Sequence, residues 1–316
     1  MKTLFKFKYN AEAILLIIGF LYVGFHYYIW PLEPKNQMIV LLSLVFLVGV
    51  PHGALDFLVD EQNKVAVHQT FSIKKFVSVY LLRLFSFALI WLFPWVAFSI
   101  FMAFSIYHFG ETDMACMLKT KKRASILYIA YGSFILSVLL LVHLTQIKDT
   151  LPVIKNFVEN NNLYAQIEAN RYLVILGLGF LFTVAIVYQK SIDNITVTLP
   201  QLIRLIFLLA IITLLPLLMA FTFYFALWHS VLSVRNIFTY FKSFNNSKKF
   251  AVICNKSILF SILALGGMVL LYFILNYFLP DMNMLFALLI VLSVLTLPHL
   301  QVMHRMYQNS NAYQEG

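Results

Sequence analysis

The sequence predicts an all-α, polytopic integral membrane helix bundle of about ten transmembrane helices, with eight to ten the range. Three observations carry this. Apolar runs recur at lengths near the ~20 residues that a bilayer requires of a helix. Of the 316 residues, 61% are hydrophobic and only 11% charged, which is a membrane composition rather than that of a soluble core. The Lys and Arg residues fall unevenly on the two sides of the predicted spans, as the positive-inside rule requires.

The expected spans are 11–30, 37–59, 75–93, 95–110, 124–146, 171–189, 200–215, 217–238, 256–279 and 284–306. Residues 1–10 form a short basic leader carrying Lys2, Lys6 and Lys8, and 308–316 a polar tail. No small-residue cleavage site follows the first apolar run, so it reads as a retained helix rather than a signal peptide. Pro94 and Pro216 each split one long run in two, and at each a single kinked helix is the competing reading. Ten spans with both termini cytoplasmic place sixteen of the 23 Lys and Arg residues in the inner loops 60–74, 111–123, 190–199 and 239–255, at the ends, or beside them. Dropping one split would turn the basic 242–256 stretch outward; dropping both would restore it. Charge thus favours ten or eight over nine. Residues 147–170 read as an outer surface loop and 243–249 as a cytoplasmic turn. No soluble domain is appended, so 1–316 reads as a single transmembrane domain.

The net charge of +10 marks topology here, not nucleic-acid binding. Cys116 and Cys254 both fall near predicted cytoplasmic ends, which argues against a disulfide framework. Pairs of the form His-x-x-His, His-Glu-x-x-His, phosphate-binding glycine loops and serine elbows are all lacking.

The chain is organised around Pro51-His52-Gly53-Ala54-Leu55-Asp56, at the end of the apolar run from Met38 to Val50. Ionisable residues at membrane depth are costly and mark a site. His26, His68, His143 and His304 read as interfacial or surface residues. His52, His108, His229 and His299 fall in the second, fourth, eighth and tenth helices, all in the inner half of the membrane. One histidine from each of four helices suits a metal site in a bundle core. A hydrogen-bonded core histidine or a helix-packing contact is the alternative for each taken alone. Neutral imidazole ligates iron, copper, zinc and nickel, and spacing does not choose among them. Four imidazoles leave the metal its charge, and iron can add further ligands, so such a site has room for dioxygen. A four-nitrogen zinc site would be closed.

Carboxylates orient such imidazoles through the far ring N–H. Asp56, four residues after His52, shares its helix face. Asp113 follows His108 at the membrane edge and is the second candidate, while Glu111 reads as a helix-end charge facing the cytoplasm. Pro51 and Pro298 each precede a histidine and free backbone carbonyls. Gly53 and Gly110 allow a backbone or ligand to approach closely.

Four segments together resemble the successive signatures of the Brp/Blh family. They are Pro51 to Asp56, Tyr107-His108-Phe109-Gly110-Glu111-Thr112-Asp113, Trp228-His229-Ser230 and Pro298-His299-Leu300. That family comprises bacterial and archaeal membrane enzymes that cleave β-carotene at its central double bond with dioxygen, giving two molecules of retinal. The resemblance implies an iron(II) centre held by His52, His108 and His229, with His299 matching the late Pro-His pair. It implies a β-carotene 15,15'-dioxygenase in the cell inner membrane, and a functional link to a microbial rhodopsin. One position departs from the family: Ser233 stands where a second histidine commonly follows Trp-His-Ser, and His299 is the replacement expected. The alternatives are a non-catalytic membrane transporter of metal or protons, a binder of lipophilic ligands, and a haem-binding electron carrier.

Overall fold

The computed structural model describes residues 2–118, 123–150, 162–193, 198–243, 250–278 and 283–312. Lys119, Lys121 and Lys122, residues 151–161 of the expected outer loop and 244–249 of the expected turn therefore lie outside the described residues; the rest of that loop is helical. The side chains of Cys116 and Cys254 also lie outside the described residues. The protein is all-helical, with no strand among the described residues.

In chain order the helices are α1 Lys2–Gly24, α2 Pro34–Leu44, α3 Val50–Gly53, α4 Asp56–Ala66, α5 Ile73–Ile90, α6 Pro94–Met114 and α7 Ser125–Leu141. There follow α8 Leu144–Thr150, α9 Asn162–Asp193, α10 Leu199–Leu214, α11 Leu217–Phe221, α12 Ser230–Ser243, α13 Phe250–Phe278 and α14 Met284–Ala312. Three wide π-helical stretches, Phe25–Ile29, Val45–Gly49 and Thr222–His229, extend or join them.

Among the described residues, six helical stretches are long and apolar enough to cross a membrane: Ala11–Ile29, Pro34–Ala66, Asn162–Ile192, Leu217–Lys242, Ser257–Phe278 and Met284–Asn309. The pair α7–α8, bent by 63°, would make a seventh. The expected count of eight to ten is not confirmed, for physical reasons. α5 begins with Lys74 and Lys75 and carries Arg83. α6 dilutes its apolar run with Trp95, Tyr107, His108 and Glu111. α10 has only 16 residues. The breaks themselves fall where the prolines put them. Pro94 opens α6 after the turn at Trp91–Phe93, and Pro216 caps α11, so each pair is two helices rather than one kinked helix.

The chain divides into two compact units, each discontinuous in sequence: 1–49 with 133–232, and 50–132 with 233–316. In the first, α1 packs along α10, α11 packs against α2, and the π stretches Val45–Gly49 and Thr222–His229 meet. Glu12 of α1 forms a buried ion pair with Arg204 of α10. A capping box of Thr198 with Gln201 starts α10. His143, expected at an interface, is buried; its ring nitrogens lie 2.8 Å from the carbonyls of Leu139 and Leu215.

In the second unit α14 is the central element, in contact with α4, α5, α6 and α13. Phe87, Ile290 and Val294 form a core joining α5 to α14. The indole of Trp91 donates to Ser293 Oγ at 2.8 Å. Phe57 stacks on Phe260, ring centroids 4.2 Å apart. Buried Asn63 donates to the Val302 carbonyl and accepts from Tyr240 Oη at 2.8 Å, tying α4, α12 and α14 together. Buried amides of this kind need every partner supplied, since an unmet polar group costs about 1–3 kcal/mol.

α6 and the first part of α7 touch backbone to backbone. Gly110 faces the Tyr128 carbonyl, and Gly132 faces the Ile106 carbonyl. Residues 106/110 and 128/132 are each four apart, so the contact is reciprocal along one turn of both helices. It is the small-residue packing of membrane helices, in which an absent Cβ lets two axes approach. A Cβ at either glycine would fall inside the opposing carbonyl, with only backbone to move aside. Gly110→Ala and Gly132→Ala should each destabilise the protein by about 1–3 kcal/mol or more. Gly177→Ala, where nothing lies within 4 Å, should leave the melting temperature in detergent unchanged or slightly raised.

Candidate metal centre

His52 sits where the backbone is least regular. The π stretch Val45–Gly49 precedes it, and Pro51 supplies no amide proton to the turn below. The next hydrogen bonds are long, Ala54 N–H to Val50 O and Leu55 N–H to His52 O, both 3.3 Å. The chain turns at 54–55 before α4 begins at Asp56. Wide turns of this kind recur at functional sites. His299 occupies a similar position in α14, one residue after Pro298, which leaves the Val294 carbonyl without its usual helical donor. His108 lies in the last third of α6, where every residue from His108 to Met114 is buried.

These three imidazoles converge in the second unit. The His52 and His299 rings stand edge to face, centroids 4.9 Å apart at 87°, and a ring nitrogen of one lies within 4.8 Å of a nitrogen of the other. The His108 ring also stands edge to face with that of His299, centroids 5.2 Å apart at 89°. All three are buried, at 6%, 6% and 1% exposure respectively. A buried group of imidazole nitrogens favours a metal over a solvated anion.

Asp56 determines how His299 presents itself. Its Oδ1 accepts from His299 Nδ1 at 2.7 Å, and its Oδ2 accepts from Tyr80 Oη at 3.0 Å. The carboxylate fixes the proton on Nδ1 and points Nε2 away. That Nε2 is buried and has no hydrogen-bond partner among the described residues. An imidazole with carboxylate on one nitrogen and an open lone pair on the other is the usual form of a metal-ligating histidine. Asp56 thus bonds a histidine 243 residues away, where helix periodicity had pointed to His52.

Asp113 is buried and accepts from Tyr131 Oη at 2.6 Å. Glu111, expected to face solvent, is instead 2% exposed and bonds His304 Nδ1 at 2.7 Å. Tyr107 packs edge-on against the same ring at 5.6 Å. None of Tyr80, Tyr131 or His304 carries a sequence signal for these roles. Each takes its role from a partner on another helix. Gly53 would put a Cβ 3.8 Å from His299 Nδ1, ordinary contact, so its small size is not required by that ring.

His229 belongs to the first unit. It closes the π stretch Thr222–His229, is 1% exposed, and stacks on Phe225 at 6.1 Å. Ser233, one turn further along the same continuous helix, is fully buried, and its Oγ has no partner among the described residues.

A multi-pass, all-helical membrane protein that buries histidines able to hold a metal ion is the class this architecture defines. The family follows from comparison with known proteins. A model of the beta-carotene 15,15'-dioxygenase family matches residues 43–307, and the chain belongs to that family. It is the same family that the four signatures resemble. Searches of curated proteins and of solved structures gave no match.

The Asp56 bond carries an expected outcome. Asp56→Asn removes the anionic acceptor from His299 Nδ1, and affinity for a divalent transition metal should fall about 10–100-fold. Tyr80→Phe should shift it in the same direction by less, since the carboxylate stays. Equilibrium metal titration of the purified protein measures both.

Proposed function

We propose that this protein is an iron-dependent dioxygenase of the cell inner membrane, with both termini cytoplasmic. Its reaction is cleavage of β-carotene at the central double bond to two molecules of retinal. The observation that carries the reading is the Asp56–His299 pair beside His52: a buried imidazole held in one tautomer with its other nitrogen open, in a chain of this family.

The ligands proposed are His52, His108, His229 and His299. Each of His52, His229 and His299 offers a ring nitrogen suited to a metal. The donor set fits ferrous iron: neutral nitrogen ligands suit it and leave its charge uncompensated. Bound there, iron supplies the activation of dioxygen that carbon–carbon double-bond cleavage requires. Ser233 is too short to serve in place of a family histidine, and His299 takes that part. Asp56 holds His299, and Asp113, fixed by Tyr131, is the proposed orienting carboxylate beside His108.

The rest of the chain binds and orients the substrate and excludes water. A carotene has no polar group to recognise, so its site needs apolar walls and few donors. The 31 Phe residues and the bilayer setting supply both, and the substrate is delivered from the membrane itself. Retinal leaves the same way, which makes a microbial rhodopsin a natural consumer of the product.

Expression in a bacterial host that makes β-carotene tests this. The cells should lose their orange colour while retinal accumulates, and His229→Ala or His299→Ala should abolish both metal content and bleaching. The expected loss is larger than the 10–100-fold typical of removing an outer partner. Unchanged carotene with folded, iron-loaded protein would overturn the assignment.

A further inference from the structure

The second unit holds a cavity of about 710 Å³ remote in character from the histidine cluster. It is lined by the C-terminal half of α4, one face of α5, the later part of α14 and the loop 68–72. Four cations line it, Lys64, Lys75, Arg83 and Arg305, against the single carboxylate of Asp60. Arg305 pairs with Asp60 at 3.7 Å. The lining therefore keeps a net positive charge. Arg83 is the one charged residue of α5 between Phe76 and Ile90.

The loop is built to stay in place. His68 N–H bonds Val65 O at 3.1 Å and Gln69 N–H bonds Lys64 O at 2.8 Å, the paired bonds of a Schellman cap. His68 takes the left-handed conformation such a cap demands, φ 54°. Lys64 Nζ then donates to Gln69 Oε1 at 3.0 Å. On α5, Lys75, Val79 and Arg83 recur every four residues, so cations and an apolar residue alternate down one wall for about 12 Å. Phe71, Phe76 and Val302 complete the apolar part. The adjoining face of α5 exposes Leu82 (64%), Phe85 (63%) and Leu89 (48%), a surface suited to acyl chains.

We propose that this cavity binds the phosphate headgroup of an anionic phospholipid, with Arg83 and Arg305 on the phosphate and Phe76 and Val79 against the first carbons of its chains. Guanidinium forks match phosphate oxygens in pairs. A free inorganic anion would satisfy the cations and leave the apolar wall wet; an amphiphile uses both. The surplus of positive charge selects an anionic headgroup over a zwitterionic one. Tyr80 lines the same cavity and donates to Asp56, so an occupant sits one side chain from the bond that holds His299.

The full-length protein in detergent decides this by its melting midpoint, titrated separately with dioctanoylphosphatidylglycerol, dioctanoylphosphatidylcholine and inorganic phosphate. The phosphatidylglycerol should raise the midpoint saturably and the other two should not. Arg83→Gln and Arg305→Gln should each weaken its apparent affinity about tenfold or more. Should Arg83→Gln fail to fold, the half-exposed Arg305 and the exposed Lys75, through Lys75→Gln, carry the comparison. An equal shift with phosphatidylcholine or phosphate, or a titration that these substitutions leave unchanged, would overturn the proposal. The readout is binding, so it stands apart from whether carotene is cleaved.

Discussion

A carboxylate buried at 2% exposure is expensive unless its oxygens are all engaged, and Asp56 meets that cost with two partners from distant helices. Tyr80 on α5 and His299 on α14 each give it a hydrogen. The bond to His299 does chemical work as well as structural work. It settles which ring nitrogen carries the proton, and so which one is open. An imidazole without this constraint could turn about its side-chain bonds or take either tautomer, and a metal would have to select one arrangement at the expense of affinity. With the constraint, that selection is made when the protein folds.

Such a bond can be placed only because the backbone around it departs from regular helix. Pro51 and Pro298 each remove a donor one residue before a histidine, and the π stretch Val45–Gly49 widens the turn just before the first of them. In a bilayer these freed carbonyls are tolerated only where protein surrounds them, and His52 and His299 are buried for that reason as much as for their chemistry. The reciprocal glycine contact of α6 and α7 plays a matching part. It brings Tyr131 to Asp113 and leaves His108 on a helix whose last turns are sealed from solvent.

How far the sequence reveals this differs by element. Long apolar runs announce themselves, so Ala11–Ile29, Pro34–Ala66 and Met284–Asn309 are legible. The total is not, because α5, α6 and α10 fall short by charge, by aromatic and polar dilution, and by length. The Pro-His pairs mark His52 and His299 from local composition alone. Asp56 is conspicuous too, but its partner is not: i to i+4 spacing indicates its own helix, whereas the bond joins residues 243 apart. Glu111 misleads for the same reason. A carboxylate near a helix end looks solvated until a histidine from another helix, His304, is seen to cover it. Periodicity reports a face and says nothing of what lies opposite.

The same reasoning separates the two charged regions of the second unit. Around His299 the Asp56 carboxylate accepts two hydrogen bonds and the imidazole Nε2 is left open, so what the site wants is a positive ion that takes nitrogen ligands. Around Arg83 the balance is reversed, four cations against one acid, and what that site wants is an anion. Tyr80 stands between them, its ring in the wall of one and its hydroxyl on the carboxylate of the other. On the proposal that a lipid headgroup fills the cavity, this side chain is the one through which it acts on the bond that holds His299.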